Sequence, residues 1–306
     1  MSADHEPRHL PVLAVETLRL LDPKAGEVWV DCTLGGGGHA ALIAEKLGAS
    51  GKLIGLDQDP VMLALARGRL AGLPATLVHA NFDQLSSVLA NLGVPAVDGL
   101  LADLGFSSDQ LAEAGRGLSF RTDGPLDMRL DPTAGQTAAD LVNRMSEEGL
   151  ADVFFEFGEE RHSRRVARKL VERRVTKPFT TTADLANVVR GCVPRSGGID
   201  PATRVFQALR IAVNDELGSL DRLLAMLPSV VKPGGRVGII SFHSLEDRRV
   251  KQAFRTPGVW EPLTRKPAEA GLEEQARNPR ARSAKLRVAL RLNAGGSDQP
   301  GMPGKT

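Results

Sequence analysis

The run Gly35-Gly36-Gly37-Gly38-His39 constrains the fold of this chain more than any other feature. Residues 27–33 before it are mostly apolar and β-favouring, which predicts a buried strand. Residues 40–47 behind it predict a helix that stops at Gly48. Glycines at such a junction permit positive φ and let a ligand approach bare backbone, while the first turn of the helix offers free N–H groups. A junction of this kind holds a polar or anionic small molecule. The alternative, a tight turn without a ligand, is disfavoured by four glycines in succession.

Residues 52–57 predict the next strand, ending in Asp57, 22 residues beyond Gly35. In a doubly wound sheet the acid at the end of the second strand accepts both hydroxyls of a ribose. Asp59-Pro60 predicts a helix start, with Asp59 acting only as the cap and Pro60 at the first position. The glycines and Asp57 together point to an adenosine-containing cofactor.

The 306 residues suffice for one large domain or two small ones. With a net charge of +2, any affinity for nucleic acid has to come from local basic patches. Cys32 and Cys192 are far apart and lack metal-ligand spacing, which argues for a reducing compartment and against a disulfide framework or a zinc site. Cys32, on the first strand, is expected to be a small buried apolar residue. Residues 1–9 lack the apolar run of a secretory signal, and no segment approaches membrane-spanning length, so a cytoplasmic protein is expected.

Further strands are predicted at 75–79, at 97–103, at 236–242 after the turn Lys232-Pro233-Gly234-Gly235, and at 285–292, where alternation marks a half-exposed strand. A helix is predicted across 82–91. Alternating strands and helices give an α/β fold, a doubly wound, mostly parallel sheet with helices on both faces. From Asp103 to Arg236 the chain runs 133 residues, whereas one crossover needs only about 30. Residues 111–201 are therefore expected to form an inserted helical domain, with helices at 138–145, 147–157, 159–174 and 182–190, that recognises the substrate. Residues 1–110 and 202–306 would form a discontinuous cofactor-binding domain, re-entered through helices near 202–217 and 220–231.

Gly35-x-Gly37-x-x-Ala40 also satisfies the dinucleotide pattern of a dehydrogenase, a weak signal alone. Three features favour S-adenosylmethionine over a nicotinamide. Asp31 lies just before the glycines, where a methyltransferase needs an acceptor for the cofactor's amino group. A Pro-Gly-Gly turn precedes the fifth strand, and a closing strand follows it. Asp103-Leu104-Gly105-Phe106 ends the fourth strand, which borders the ligand crevice of such sheets. Methyltransferases of exocyclic amines place a polar side chain there, then a carbonyl and an aromatic; the first two accept the amine's protons and the ring stacks on the base. In this chain Leu104-Gly105 replaces the usual prolines, and the bland alternative is a strand ending in a helix cap.

Several blocks resemble the bacterial ribosomal RNA small subunit methyltransferase H family. They are His9-Leu10-Pro11-Val12-Leu13, the glycine block from Asp31 to His39, the run from Asp103 to Leu111, Arg116-Gly117-Leu118-Ser119-Phe120, Gly124 to Arg129, Phe157 to Arg161, Pro201 to Asn214, and Ser241 to Arg248. The similarity covers about residues 8–292. Phe157 stands where the family usually has Tyr, and Leu118 where it usually has Phe; neither touches the cofactor motif. The resemblance implies methyl transfer from S-adenosylmethionine to the N4 amine of a cytidine in 16S rRNA near the ribosomal P site. It also implies cofactor contacts at Gly37, Gly38, His39, Asp57, Phe82, Asp103 and Gln110. Phe82 would flank the adenine, its alternative being a helix-entry staple. Gln110 has no warrant beyond the resemblance. His39 would serve the cofactor carboxylate rather than a metal.

Cytosine's exocyclic amine is a poor nucleophile, and a sulfonium methyl is a strong electrophile, so the chemistry needs alignment and proton acceptors rather than a covalent intermediate. Asp103 is the candidate catalytic acceptor, or else it serves only the cofactor; Ser107, Ser108 and His243 are weaker candidates for the base pocket. Residues 161–174 carry seven Arg or Lys against one Glu, and residues 248–291 twelve against four acids; both could hold RNA, the alternative being solvated faces. Residues 256–283 are expected to form a mobile loop, and the stretch after Asn293 to be disordered. Two other readings stay open: a non-catalytic RNA-binding assembly factor, and an NAD-dependent oxidoreductase. No oligomeric state follows from the sequence.

Overall fold

The computed structural model describes residues 11–107, 110–111, 113–194, 198 and 200–293. Strands β1 (Val28–Asp31), β2 (Lys52–Asp57), β3 (Ala75–His79), β4 (Val97–Asp103), β5 (Val231–Ser241), β6 (Trp260–Pro262) and β7 (Lys285–Arg291) form one sheet in the order β3-β2-β1-β4-β5-β7-β6. The first five are parallel, while β7 runs antiparallel to both β5 and β6. Trp29, Val30, Leu53, Ile54, Leu100 and Leu101 are buried on both faces of the sheet, which is why β1, β2 and β4 read as continuous apolar runs. This is the doubly wound α/β sheet expected from the sequence.

Helices α1 (Ala14–Leu21), α2 (Gly38–Leu47) and α3 (Pro60–Arg69) cover one face. The other face is covered by α4 (Leu85–Asn91) together with two helices from beyond the insert. Between β4 and β5 lie α5 (Ala138–Arg144), α6 (Glu147–Glu156), α7 (Ser163–Thr176) and α8 (Thr182–Cys192), each close to its predicted span. Side chains of Thr137, Ser146 and Thr181 accept backbone N–H groups at the starts of α5, α6 and α8. These helices share a separate core around Phe154, Phe179 and Leu185, and that core continues through Val205 and Leu209 of α9 (Ala202–Asn214). Helices α10 (Glu216–Val230) and α11 (Ser244–Ala253) then complete the second face of the sheet.

The differences from expectation have local causes. Helix α7 begins at Ser163 rather than 159, because Glu159 sits in the left-handed region (φ 50°) and Glu160 Oε1 accepts the His162 N–H at 2.8 Å. Residues 82–91 split into a short 3-10 turn at Phe82–Gln84 and α4. Residues 256–283 are not a structureless loop: they hold β6, the short helix α12 (Leu272–Arg277) and a 3-10 turn at Pro279–Arg282. Glu274 of α12 fastens this segment by accepting the Leu13 N–H at 2.7 Å. Nor is β7 half-exposed. Leu286 through Ala289 are all buried, and Arg287 tolerates this because it pairs bidentately with Asp247 at 2.6 and 3.1 Å. The first blocks of the family resemblance before Pro11, and the stretch from residue 294 on, lie outside the described residues.

Burial alone would raise the Asp247 carboxyl, but Arg287 holds it below its usual range. Arg287→Met leaves that half-buried carboxylate without its hydrogen-bonded counter-ion, with only the more distant charges of Lys285 and Lys251. We expect a loss of about 3 kcal/mol, read as a lower midpoint in urea unfolding at pH 7. Because the Asp247 pKa is depressed in the fold, the pair's contribution should vanish as pH falls through that folded value.

Candidate active site

The sheet order reverses direction between β1 and β4, and a crevice opens there at the carboxyl ends of the strands. It is an open cleft of about 1250 Å³, counting the solvent space at its mouth. The glycine turn forms its floor. Gly35 has φ +49° and donates its N–H to Asp57 Oδ2 at 2.7 Å. Gly37 has φ +78°, a conformation L side chains rarely adopt, and lies against Ala66 of α3 and Leu70 just after it. Gly37 therefore makes the turn that starts α2, while Gly35, Gly36 and Gly38 face the cleft.

Three carboxylates end three adjacent strands here. Asp31, at the end of β1, is fully buried and does not itself line the cleft; Oδ1 accepts the Thr33 N–H at 3.1 Å, and Oδ2 has no partner among the described residues. Burial, with Asp103 and Asp57 nearby, pushes its pKa up to about 7 against the pull of the Thr33 N–H. Asp57, at the end of β2, accepts the N–H groups of Gly35 and Asp59, yet burial still raises it to about 6. Asp103, at the end of β4, is raised by burial and Glu246 and pulled back by His39 and Arg280. Its Oδ1 has no partner among the described residues. Such a cluster calls for a ligand that brings cationic charge and hydroxyl or amine donors.

The His39 ring is buried. Its Nε2 lies 2.8 Å from the Val12 carbonyl, which can only accept, so the proton sits on Nε2 and Nδ1 faces Asp103 Oδ2 at 3.8 Å. Phe82 opens the 3-10 turn capped by Asn81 and lines the cleft beside Asn81 and Gln58. Of the residues expected to contact a cofactor, Gly38, His39, Asp57, Phe82, Asp103 and Gln110 line the cleft; Gly37 shapes it from behind. Ser107 lines it too, whereas Ser108 lies outside the described residues. His243 does not line it; its Nε2 stands 3.2 Å from Glu246 Oε1, and Glu246 presents the carboxylate to the cleft. Burial tends to raise Glu246, but His243, the Phe242 N–H and Arg210 together hold it below its usual range.

Sequence reasoning missed several wall residues. Leu130 of the insert and Asn214, the last residue of α9, are joined to each other: Asn214 Oδ1 accepts the Leu130 N–H at 2.7 Å, and its Nδ2 donates to the Met128 carbonyl. Phe106 lies under the Arg210 guanidinium at 4.7 Å, and Arg210 in turn grips Glu216 through two bonds of 2.7 and 2.8 Å. Arg280 lies over Phe242 at 5.0 Å and closes the remaining side. The Asn278-Pro279 pair, a cap followed by proline, is the signal that could have placed a helical turn before Arg280.

Asp59 does more than cap. Its Oδ1 accepts the Val61 N–H at the start of α3, as expected, but it is wholly buried and its Oδ2 binds both Gln110 Nε2 at 2.7 Å and Arg116 at 2.8 Å. Gln110 Oε1 accepts the Ser107 N–H, and Arg116 reaches on to the Leu130 carbonyl. One oxygen thus fixes the segment after β4 and the wall residue Leu130.

The family model described as the MraW methylase family matches residues 6–292. A Sorangium cellulosum protein named ribosomal RNA small subunit methyltransferase H is 55% identical over 289 residues, 93% of this chain and 91% of the relative. One of the same name from Acidobacterium capsulatum is 50% identical over 295 residues, 92% and 98% of the two chains. Among solved structures, an rRNA methylase from Streptococcus thermophilus aligns at TM-score 0.44 and 10% identity over 95% of this chain and all of its own. The strand order described above, rather than that likeness, defines the fold.

Asp59→Asn keeps an acceptor for the Val61 N–H but turns an amide donor, or a weaker neutral acceptor, toward Gln110 and Arg116. We expect a loss of about 3 kcal/mol, the scale for a broken buried ion pair, seen as a lower urea midpoint. Arg116→Met in the same background should cost far less than in the parent; additive losses would show that the two residues do not act together.

Proposed function

The chain belongs to the MraW methylase family, and from that footing we propose that it transfers a methyl group from S-adenosylmethionine to the exocyclic N4 amine of one cytidine in 16S rRNA, near the P site of the small ribosomal subunit. The cofactor is S-adenosylmethionine and the substrate class is ribosomal RNA, in keeping with relatives named ribosomal RNA small subunit methyltransferase H at 50–55% identity. No helix among the described residues is long and apolar enough to cross a membrane, and Cys32 and Cys192 are buried free thiols, which accord with a cytoplasmic enzyme.

One observation carries the reading: the half-buried strand-end carboxylates Asp57 and Asp103 line one cleft with aromatic rings, Asp31 lies buried beside them, and one oxygen each of Asp31 and Asp103 has no partner among the described residues. The residues fit the cofactor. Asp57, held by two backbone N–H groups, has lone pairs left for ribose hydroxyls; Phe82 would flank an adenine; Asp103 would meet a cationic group, with the charge of Asp31 behind it. When bound, S-adenosylmethionine supplies an electrophilic methyl on a sulfonium. Asp103 then accepts a proton of the target amine and turns the nitrogen lone pair toward that methyl. Phe106, held by Arg210, offers a ring for the base, and Asp103, whose proton affinity burial raises, holds the released proton. Gly37, Gly38, His39 and Gln110 shape the cofactor side, and residues 111–201 present the RNA.

The test is methyl transfer from labelled S-adenosylmethionine to small subunits lacking the modification, followed by mass mapping of the RNA. A single N4-methylcytidine is expected. Asp103→Asn should lower kcat at least about a hundredfold, the scale for a general base; a rise in KM for the cofactor alone would confine Asp103 to binding.

Cofactor affinity should also depend on pH. A cationic ligand favours ionised Asp31 and Asp57, whose free-state values stand near 7 and 6. Binding therefore releases protons, and affinity should climb as pH rises toward 7, by at most about tenfold per pH unit for each group, then level off. Calorimetry in buffers of different ionisation enthalpy reads the proton release; affinity flat from pH 5.5 to 8 would remove both carboxylates from this role.

A further inference from the structure

The twelve cations of residues 248–291 are not equivalent once folded. Arg248 pairs with Glu159, Arg249 with Asp221, Arg277 with Glu273 and Arg287 with Asp247. Arg280 faces the active-site cleft, and Arg291 donates to backbone carbonyls. Lys251, Arg255 and Arg265 are exposed, and their side chains make no hydrogen bond or ion pair among the described residues. These three converge. With Arg287, Phe254 and Thr264 they line a second cleft of about 590 Å³, again counting its solvent mouth, and no carboxylate lines it. Lys251 acts electrostatically on Asp247, which Arg287 already pairs.

We propose that this cleft, between the end of α11 and the edge strand β6, binds phosphodiester groups of the RNA substrate beside the target nucleotide. The inference rests on the ribosomal RNA reading above and adds to it a site for the backbone. Helix α11 sets the distance. Glu246 on its first turn lines the active site, and Lys251 lies five residues further on, about 7.5 Å along the axis and about 140° around it. A strand with its base in the active site that wraps this side of α11 can lay a nearby phosphate in the cleft. Cations at the end of a helix also offset its dipole, which accounts for Lys251 and Arg255 but not for Arg265, which follows β6.

The experiment compares the wild type with Lys251→Gln/Arg255→Gln/Arg265→Gln for binding of unmodified 16S rRNA across salt concentrations, with cofactor affinity and thermal midpoint measured alongside. The proposal predicts affinity at least about tenfold weaker at low salt and a slope of log K against log salt about 2 lower, near 0.7 for each lost phosphate contact, with cofactor affinity unchanged. Arg265→Lys should restore binding that Arg265→Gln removes. An unchanged slope overturns the proposal, as does a lower thermal midpoint with unchanged slope, which assigns the cations to the helix end. Loss of binding to whole subunits but not to naked rRNA also overturns it, in favour of a ribosomal protein. If the triple variant does not fold, Arg265→Gln alone decides by the same slope. Wild-type methyl transfer to subunits, run in parallel, separates the two readings: its absence removes the proposed function, whereas transfer with an unaltered slope removes only the cleft.

Discussion

A carboxylate with no exposed surface holds the site together. Asp59 starts α3, steadies Asp57 through its own N–H, and gathers Gln110 and Arg116 onto a single oxygen. A buried charge is tolerated only when its lone pairs are filled and a counter-ion is near, and Arg116 meets both needs while reaching the Leu130 carbonyl. The segment after β4 and the first part of the insert are thereby referred to the nucleotide side of the sheet. Flexible connections would otherwise leave Leu130, Ser107 and Gln110 without a fixed place in the cleft wall.

Around that anchor the site runs a deliberate electrostatic deficit. Parallel strands end side by side, so Asp31, Asp57 and Asp103 stand close in a place that water reaches poorly. Asp57 and Asp103 raise the affinity of Asp31 for protons, and the groups that pull Asp103 back are His39, 3.8 Å away, and Arg280. Charge that an ordinary core would neutralise internally is left for the ligand to complete. The affinity of the cleft for a sulfonium or ammonium and its reluctance to ionise when empty are one property.

Much of this was legible in the chain. The glycine run, Asp57 and Asp103 announce themselves because strand, turn and helix are local patterns, and the insert announces itself by the distance from Asp103 to the fifth strand. What stayed hidden is long-range. Asp59 meets Gln110 and Arg116 across 51 and 57 residues, and Asn214 meets Leu130 across 84; no periodicity encodes such pairs. Residues 256–283 misled because their apolar content is low, yet backbone bonds to β7 and the Glu274–Leu13 link order them without a core of their own. Arg287 misled for the opposite reason: a charged residue in an alternating strand reads as exposed until its partner on α11 is known.

The Leu13–Glu274 hydrogen bond joins residues 261 positions apart, and the same late segment brings Arg280 to the cleft. Native contacts of that span cannot form until nearly the whole chain has left the ribosome, and they make closure of the sheet a late event in folding. During its synthesis this enzyme lacks a finished binding site.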